Sequence, residues 1–243
     1  MRIVIVGYGK MGHAIEKVAS SNSIEISKII SNYSELCESN FSDDEVVIEF
    51  TEPKACVENL KVLLDKKAKV VCGTTGWYDE VSLIRTLVEK NGLSFLYGEN
   101  FAVGVHLFWK IVSEAAKIFD QFPEYQVSLS EVHHKTKKDF PSGTAQKVAE
   151  LLINNLSSKT NYVSVLNEKD ISHIKDSTLV VSCAREDGHI ARHDVSFSSD
   201  NDVIEINHVS KGRDGYALGA IRCAEWLMFK KGFFSVEDYI KEL

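Results

Sequence analysis

Proline is scarce, at three residues in 243, which leaves little room for a proline-rich linker. Positive charge is not in excess either. A net charge of −7 and a pI near 5.7 exclude broad phosphate-backbone binding, so no nucleic-acid partner is expected, although a local cationic pocket for a small anion stays open. The cysteines, at positions 37, 56, 72, 183 and 223, are odd in number and form no CxxC. That pattern fits neither a disulfide framework nor a tetrahedral zinc site, and it points to a reducing compartment. No run approaches the ~20 apolar residues of a membrane span, and the apolar stretch in MRIVIVGYGKMG is too brief for a signal-peptide core. These absences predict a soluble, cytoplasmic chain with no membrane attachment and no metal centre.

What is present is enough apolar material, 44% of residues, to bury the core of one large domain or two modest ones. The first hundred residues alternate short apolar runs with helical patterns. Strands are expected at IVIVG (3–7), IEISKII (24–30), VVIEF (46–50), KVVCG (69–73) and LSFLYG (93–98). Helices are expected around 13–20, 55–65 and 81–90. This order predicts a doubly wound parallel sheet. After a helix over 103–119 the texture changes to period-two alternation in YQVSLSEVHH, TLVVSCARED, RHDVSFSS and DVIEINHVS. One helix, from about Ser142 to Leu156, interrupts these strands. The pattern predicts a mixed, mostly antiparallel sheet, and two architectures in one chain imply two domains with a cleft between them. The last segments, 218–231 and Phe233–Leu243, read as helices.

Gly7, Gly9 and Gly12 form GxGxxG directly after the first strand and open a helix. Glycines at these places allow a tight turn, close approach of a pyrophosphate and helix–strand packing, and the helix N-terminus favours anionic phosphate. Where the second strand ends, an acid would bind the ribose hydroxyls of NAD; here stand Ser31 and Asn32. With Lys10 in the phosphate turn, NADPH is expected to be tolerated, through dual specificity or a true preference. The loops GTTG (73–76) and GENF (98–101) end later strands at the same sheet edge and outline a nicotinamide pocket.

The densest chemistry lies in EVHHKTKKDFPSGTA, residues 131–145. In an extended chain His133 and His134 point to opposite faces, so they do different jobs, one lining the cleft and the other packing or orienting. Ser142 or Gly143 can cap the following helix, leaving the amides of Gly143, Thr144 and Ala145 for an anion. Together with Lys137 and a histidine, that makes a receptacle for a carboxylate. Lys135 and Lys138 are expected to be solvated.

At this point the sequence resembles the 4-hydroxy-tetrahydrodipicolinate (dihydrodipicolinate) reductase family of lysine and diaminopimelate biosynthesis. The family hallmark E-x-H-H-x-x-K-x-D-x-P-S-G-T-A matches Glu131–Ala145 at every fixed position. The likeness runs on through VGYGKMG, VVIEFTEPKA, VVCGTTGW and ENFAVGV, and more weakly through AREDGHIARHDVSF and EINHVSKGRDGYALGAIRCAEWL. It implies that His133 is the proton donor/acceptor, that Lys137 donates a proton, and that His134, Gly143 and Thr144 bind the substrate dicarboxylate. It also implies a cofactor, NADPH or NADH, on Gly7, Tyr8, Gly9, Lys10, Met11, Gly12, Asn32, Gly73, Thr74, Thr75, Gly98, Glu99, Asn100 and Phe101.

The implied fold is a Rossmann-type domain, residues 1–102 completed by 214–243, plus an α+β substrate-binding domain, 103–213, whose sheets build a homotetramer. The chain departs from the family in Lys10, where an arginine is common, in Ser31–Asn32, where many members carry an acid, and in Glu99, which replaces a small residue or proline. A two-domain amino-acid dehydrogenase or a non-catalytic nucleotide sensor would share the glycine turn but not EVHHKTKKDFPSGTA.

Overall fold

Period-two alternation of β-branched residues builds the first sheet, because Ile3 and Ile5 face one side of β1 (Arg2–Val6) while Val4 and Val6 face the other. The computed structural model describes residues 1–166 and 174–243. After β1 the chain forms α1 (Lys10–Ser21), β2 (Ile26–Ile30), α2 (Tyr33–Glu38), β3 (Glu45–Glu49), α3 (Pro53–Asp65), β4 (Lys69–Cys72), α4 (Val81–Asn91) and β5 (Ser94–Tyr97). It then enters α5 (Val103–Phe119), β6 (Gln126–His133), α6 (Gly143–Asn155), β7 (Asn161–Leu166), β8 (Thr178–Arg185), β9 (Ala191–Ser198) and β10 (Val203–Ser210). It closes with α7 (Asp214–Leu227), β11 (Gly232–Ser235) and α8 (Val236–Lys241). Two compact units result: residues 1–103 with 213–243, and residues 104–212.

The first unit carries six parallel strands in the order β11-β5-β4-β3-β1-β2. Connections run outward in both directions from β1 and β3, which makes the carboxyl ends of these strands the switch point of the sheet. One face buries Ile3, Ile5, Val46 and Ile48 against α1 and α7; the other buries Val4, Val6, Val47 and Val70 against α3 and α4. Each fully buried Ile or Val contributes about 1.5–3 kcal/mol relative to exposure.

The expected terminal helix over Phe233–Leu243 is corrected at its start. Gly232–Ser235 is a sixth parallel strand beside β5, because Phe233 stacks on Phe95 at 5.2 Å while Phe234 packs into the opposite core. The helix begins only after Ser235, whose hydroxyl and Asp238 form a reciprocal cap. α2 and β7 are further elements that the alternation pattern did not announce.

The second unit holds the sheet β10-β9-β6-β8-β7, with helices α5 and α6 packed through Phe108, Val112, Val148 and Leu152 against Leu129, Val181, Val195 and Phe197. It is mixed in equal parts: β10 with β9 and β9 with β6 are antiparallel, β6 with β8 and β8 with β7 parallel.

Candidate functional site

In the first unit the glycines of VGYGKMG separate into two kinds. Gly7 has φ +93°, and a Cβ there would stand 2.1 Å from the carbonyl oxygen of Phe50; a Cβ on Gly12 would stand 2.4 Å from that of Gly7. Both hold the turn against the sheet. A Cβ on Gly9 would meet nothing within 4 Å, so its bare face is open to a ligand at the N-cap of α1. That division is what a pyrophosphate turn demands.

Beside it lies a pocket of about 730 Å³ lined by Gly7, Gly9, Ser31 and Asn32 with Phe50, Thr51, Glu52, Lys54, Glu58 and Asn59. The residues after β3 were absent from the candidate set, although their strand-end position beside β1 was a signal. Tyr8 donates to Glu16 and packs against the His13 ring at a tilt, with ring centroids 4.0 Å apart; Lys10 is exposed and Met11 packs on the core.

Asn32 caps α2, its side-chain oxygen accepting from the Glu35 amide at 3.0 Å. Glu35 in turn folds back, its carboxylate accepting from the Ser31 amide at 2.9 Å. An acid therefore does stand at the end of β2, brought there by the first turn of a helix. The Ser31 amide, foremost, holds the Glu35 carboxyl below the ordinary range.

The later loops sit at the same edge of the sheet but outside that pocket. A Cβ on Gly73 would strike the ring of Phe50 at 2.0 Å, and one on Gly98 would strike Val236 at 2.6 Å. Thr74 is buried, its hydroxyl accepting from the Thr51 amide at 2.7 Å, whereas Thr75 and Glu99 are exposed. The Asn100 side chain accepts from the Ala102 amide at 2.9 Å. The ring of Phe101 is buried in the core against Phe50, so its side chain packs.

In the second unit the alternation of β6 places Glu131 and His133 on the same inner face. Glu131 is fully buried and accepts from the Ser142 amide at 3.0 Å and from Arg185 at 3.2 Å. His193, brought by β9, approaches the same carboxylate at 3.8 Å and shares a hydrogen bond with the Ser142 hydroxyl at 3.1 Å. Burial pushes the Glu131 carboxyl up, but the Ser142 hydrogen bonds, with the nearby imidazoles of His133 and His193, outweigh it and hold it below its usual range.

Burial pulls His133 down to about 4; Glu131 opposes that shift, and Lys137 and Arg185 add to it. Burial likewise brings His193 to about 3. Glu131 was not among the expected site residues, although its spacing of two from His133 was a signal; Arg185 and His193 arrive from remote strands and had no local signal.

His134 leaves the strand, is exposed, and bonds Thr136 through Nδ1 at 2.8 Å. Lys137 pairs with Asp139 at 2.8 Å and is about one-fifth exposed, while Lys135 pairs with Asp187 in solvent. Ser142 is the cap of α6, its hydroxyl accepting from the Ala145 amide at 3.2 Å. That corrects the expectation for Ala145, whose N–H is taken. The amides of Gly143 and Thr144 remain, and a Cβ on Gly143 would meet nothing within 4 Å. Glu131, His133 and His193 have the spacing of a metal triad, but Arg185 already supplies the positive charge at that carboxylate.

Family models described as Dihydrodipicolinate reductase, N-terminus and C-terminus match residues 1–101 and 104–240. The chain is 32% identical over 243 residues to a 4-hydroxy-tetrahydrodipicolinate reductase of Christiangramia forsetii, covering 100% of this chain and 99% of that one. It is 32% identical over 240 residues to the protein of that name from Archaeoglobus fulgidus, covering 98% and 84%. Among solved structures it is similar to a dipicolinate-bound dihydrodipicolinate reductase from Paenisporosarcina, with TM-score 0.74, 25% identity, and 98% and 99% of the two chains covered.

Proposed function

The chain belongs to the dihydrodipicolinate reductase family, and from that membership we propose how its own residues carry the reaction. It is an oxidoreductase of lysine and diaminopimelate biosynthesis, reducing 4-hydroxy-tetrahydrodipicolinate to tetrahydrodipicolinate with a nicotinamide cofactor. The glycine cradle fits that cofactor: two glycines are needed by the fold and the third is left bare. Gly7, Gly9, Thr51 and the ends of β1 and β2 would hold its nucleotide half, and Gly73–Thr75 and Gly98–Asn100 would border the nicotinamide. When bound, the cofactor supplies the hydride.

The remaining work is to hold a cyclic dicarboxylate and to deliver one proton. The open amides of Gly143 and Thr144 donate to one carboxylate, and Lys137, released from Asp139, pairs with it. His134, exposed at the strand end, adds a polar contact. His133 gives the proton to the ring carbon or nitrogen left electron-rich by reduction. Free His133 is neutral at pH 7 because burial and two cations disfavour its charge; a bound dianion offsets those cations and raises its proton affinity. The observation that carries this reading is the buried Glu131–His133 pair beside Lys137 and two unengaged amides.

NADH is the preferred reductant in this proposal. Glu35 on the Ser31 amide, with Glu52 and Glu58 in the pocket against the single Lys54, opposes a 2′-phosphate. Five free cysteines suit a reducing cytoplasm, and no helix among the described residues is long and apolar enough to cross a membrane. A homotetramer built through the second sheet is supported by Val203 and Val209, more than half exposed on the edge strand β10.

The test couples the purified protein to the synthase that makes its substrate and follows oxidation of NADH and of NADPH. Turnover with both and a higher kcat/KM for NADH is expected. Failure to oxidise either would overturn the assignment of residues to this reaction.

A further inference from the structure

The first unit buries a second polar cluster that the reduction does not use. Glu49 closes β3, Cys72 closes β4 as its partner in the parallel register, and Cys56 faces both from the first turns of α3. All three have no exposed surface. The sulfur of Cys72 lies 3.3 Å and that of Cys56 3.6 Å from the same Glu49 oxygen, and the two sulfurs are 3.6 Å apart. The other Glu49 oxygen accepts from the Thr51 hydroxyl.

Buried carboxylates are normally matched by a cation or by strong donors. Glu131 in the second unit has Arg185; Glu49 takes part in no ion pair among the described residues. Its donors are one hydroxyl and two thiols, and S–H is a weak donor.

The separations have the dimensions of a coordination sphere. With zinc–sulfur bonds of about 2.3 Å and zinc–oxygen bonds of about 2.0–2.2 Å, a tetrahedral site sets its sulfurs about 3.8 Å apart and sulfur and oxygen about 3.5 Å apart. The three distances here, 3.6, 3.6 and 3.3 Å, need only small movements to match. We propose that Glu49, Cys56 and Cys72 form a buried binding site for a thiophilic divalent cation such as zinc. Each thiol gives its proton to solvent as the metal–sulfur bond forms, so no oxidant or reductant is involved. The Thr74 carbonyl oxygen, 3.9 Å from the Cys72 sulfur, already accepts from the Trp77 indole N–H at 2.9 Å, so the fourth position falls to its second lone pair or to a water.

Sequence spacing hides such a site, because sixteen residues separate the two cysteines and a βαβ crossover, instead of a CxxC knuckle, brings them together. Its placement couples it to the nucleotide pocket. Thr51, hydrogen-bonded to Glu49, and Asn59, 3.3 Å from the Thr51 hydroxyl, both line that pocket, so the cation would brace its wall and tie α3 to the sheet.

The test uses the full chain, stripped with a chelator under reducing conditions and titrated with cobalt(II) alone. Binding of about one cobalt per chain with a near-ultraviolet thiolate-to-cobalt charge-transfer band is expected, reversed by zinc. Cys56→Ser and Cys72→Ser should each lose most of that band, and zinc should raise the melting temperature of the wild type but not of these variants. A wild-type spectrum without the thiolate band overturns the proposal, since cobalt on Glu131, His133 and His193 would show nitrogen and oxygen ligation only. So does a band that survives both substitutions, which would place the metal on exposed Cys37. An intact mass that finds Cys56 and Cys72 joined in reductant-treated protein overturns it in favour of a disulfide.

Discussion

Nδ1 of His133 lies 3.5 Å from the carboxylate of Glu131, which is itself gripped by the Ser142 amide and Arg185. The carboxylate is the principal group that raises the proton affinity of a histidine otherwise depressed by burial. Glu131→Gln keeps the shape and removes the charge. The pKa of His133 should then fall further, and kcat should drop by about 10²-fold with little change in KM for the dicarboxylate. pH profiles of the variant and wild type check this; identical profiles at equal kcat would sink it.

His133 and Lys137 separate kinetically. His133→Ala removes the proposed proton donor and should mainly lower kcat, whereas Lys137→Ala removes both a proposed carboxylate contact and a positive neighbour of His133, and should raise KM and lower kcat. Losses of about 10²-fold or more follow if general-acid magnitudes apply. Steady-state kinetics with synthase-generated substrate decide it, and rates like the wild type in both variants would remove these residues from the mechanism.

The pH dependence has a definite sign. An acid that must be protonated loses activity as pH rises through its pKa. In the free protein that pKa is depressed to about 4, chiefly by burial. A bound dianion opposes Lys137 and Arg185 and raises it. The alkaline fall of kcat, which reports the complex, should therefore occur at higher pH than that of kcat/KM, which reports the free protein. Coincident falls would argue against His133 as the acid.

Gly7 and Gly9 should fail differently. Gly7→Ala combines φ +93° with a Cβ 2.1 Å from a carbonyl oxygen, and should cost about 1–3 kcal/mol of stability or more. Gly9→Ala meets no protein atom, so it should leave the melting temperature almost unchanged while raising KM for the cofactor. Thermal denaturation beside cofactor titration separates the two; equal destabilisation would mean that Gly9 also serves the fold.

Glu35 tests the reductant preference. Removing its charge from the Ser31 amide in Glu35→Gln should raise kcat/KM for NADPH relative to NADH by severalfold, since a 2′-phosphate no longer meets a carboxylate. An unchanged ratio would shift the discrimination to Glu52 and Glu58.

Much of this was legible in one dimension. The strand, glycine turn and helix at the N-terminus declare themselves by periodicity and by the steric freedom of glycine, and the spacing of Glu131, His133, Ser142 and Gly143 already implies a strand leading to a capped helix. Where contacts are distant, periodicity failed. Phe233–Ser235 reads as the start of a helix until β5 offers it a pairing edge. Glu35 was not singled out at all, because only the first turn of α2 brings it back onto Ser31.

By itself the sequence determined two architectures and the alternation of the first five parallel strands with their helices, because these rest on interactions between residues near one another in the chain. Only the tertiary structure decided which charges face each other. Arg185 and His193 meet Glu131, and Cys56 meets Cys72 and Glu49, through sheet register and crossover packing. Electrostatics depends on distance in space and on burial, neither of which sequence separation measures.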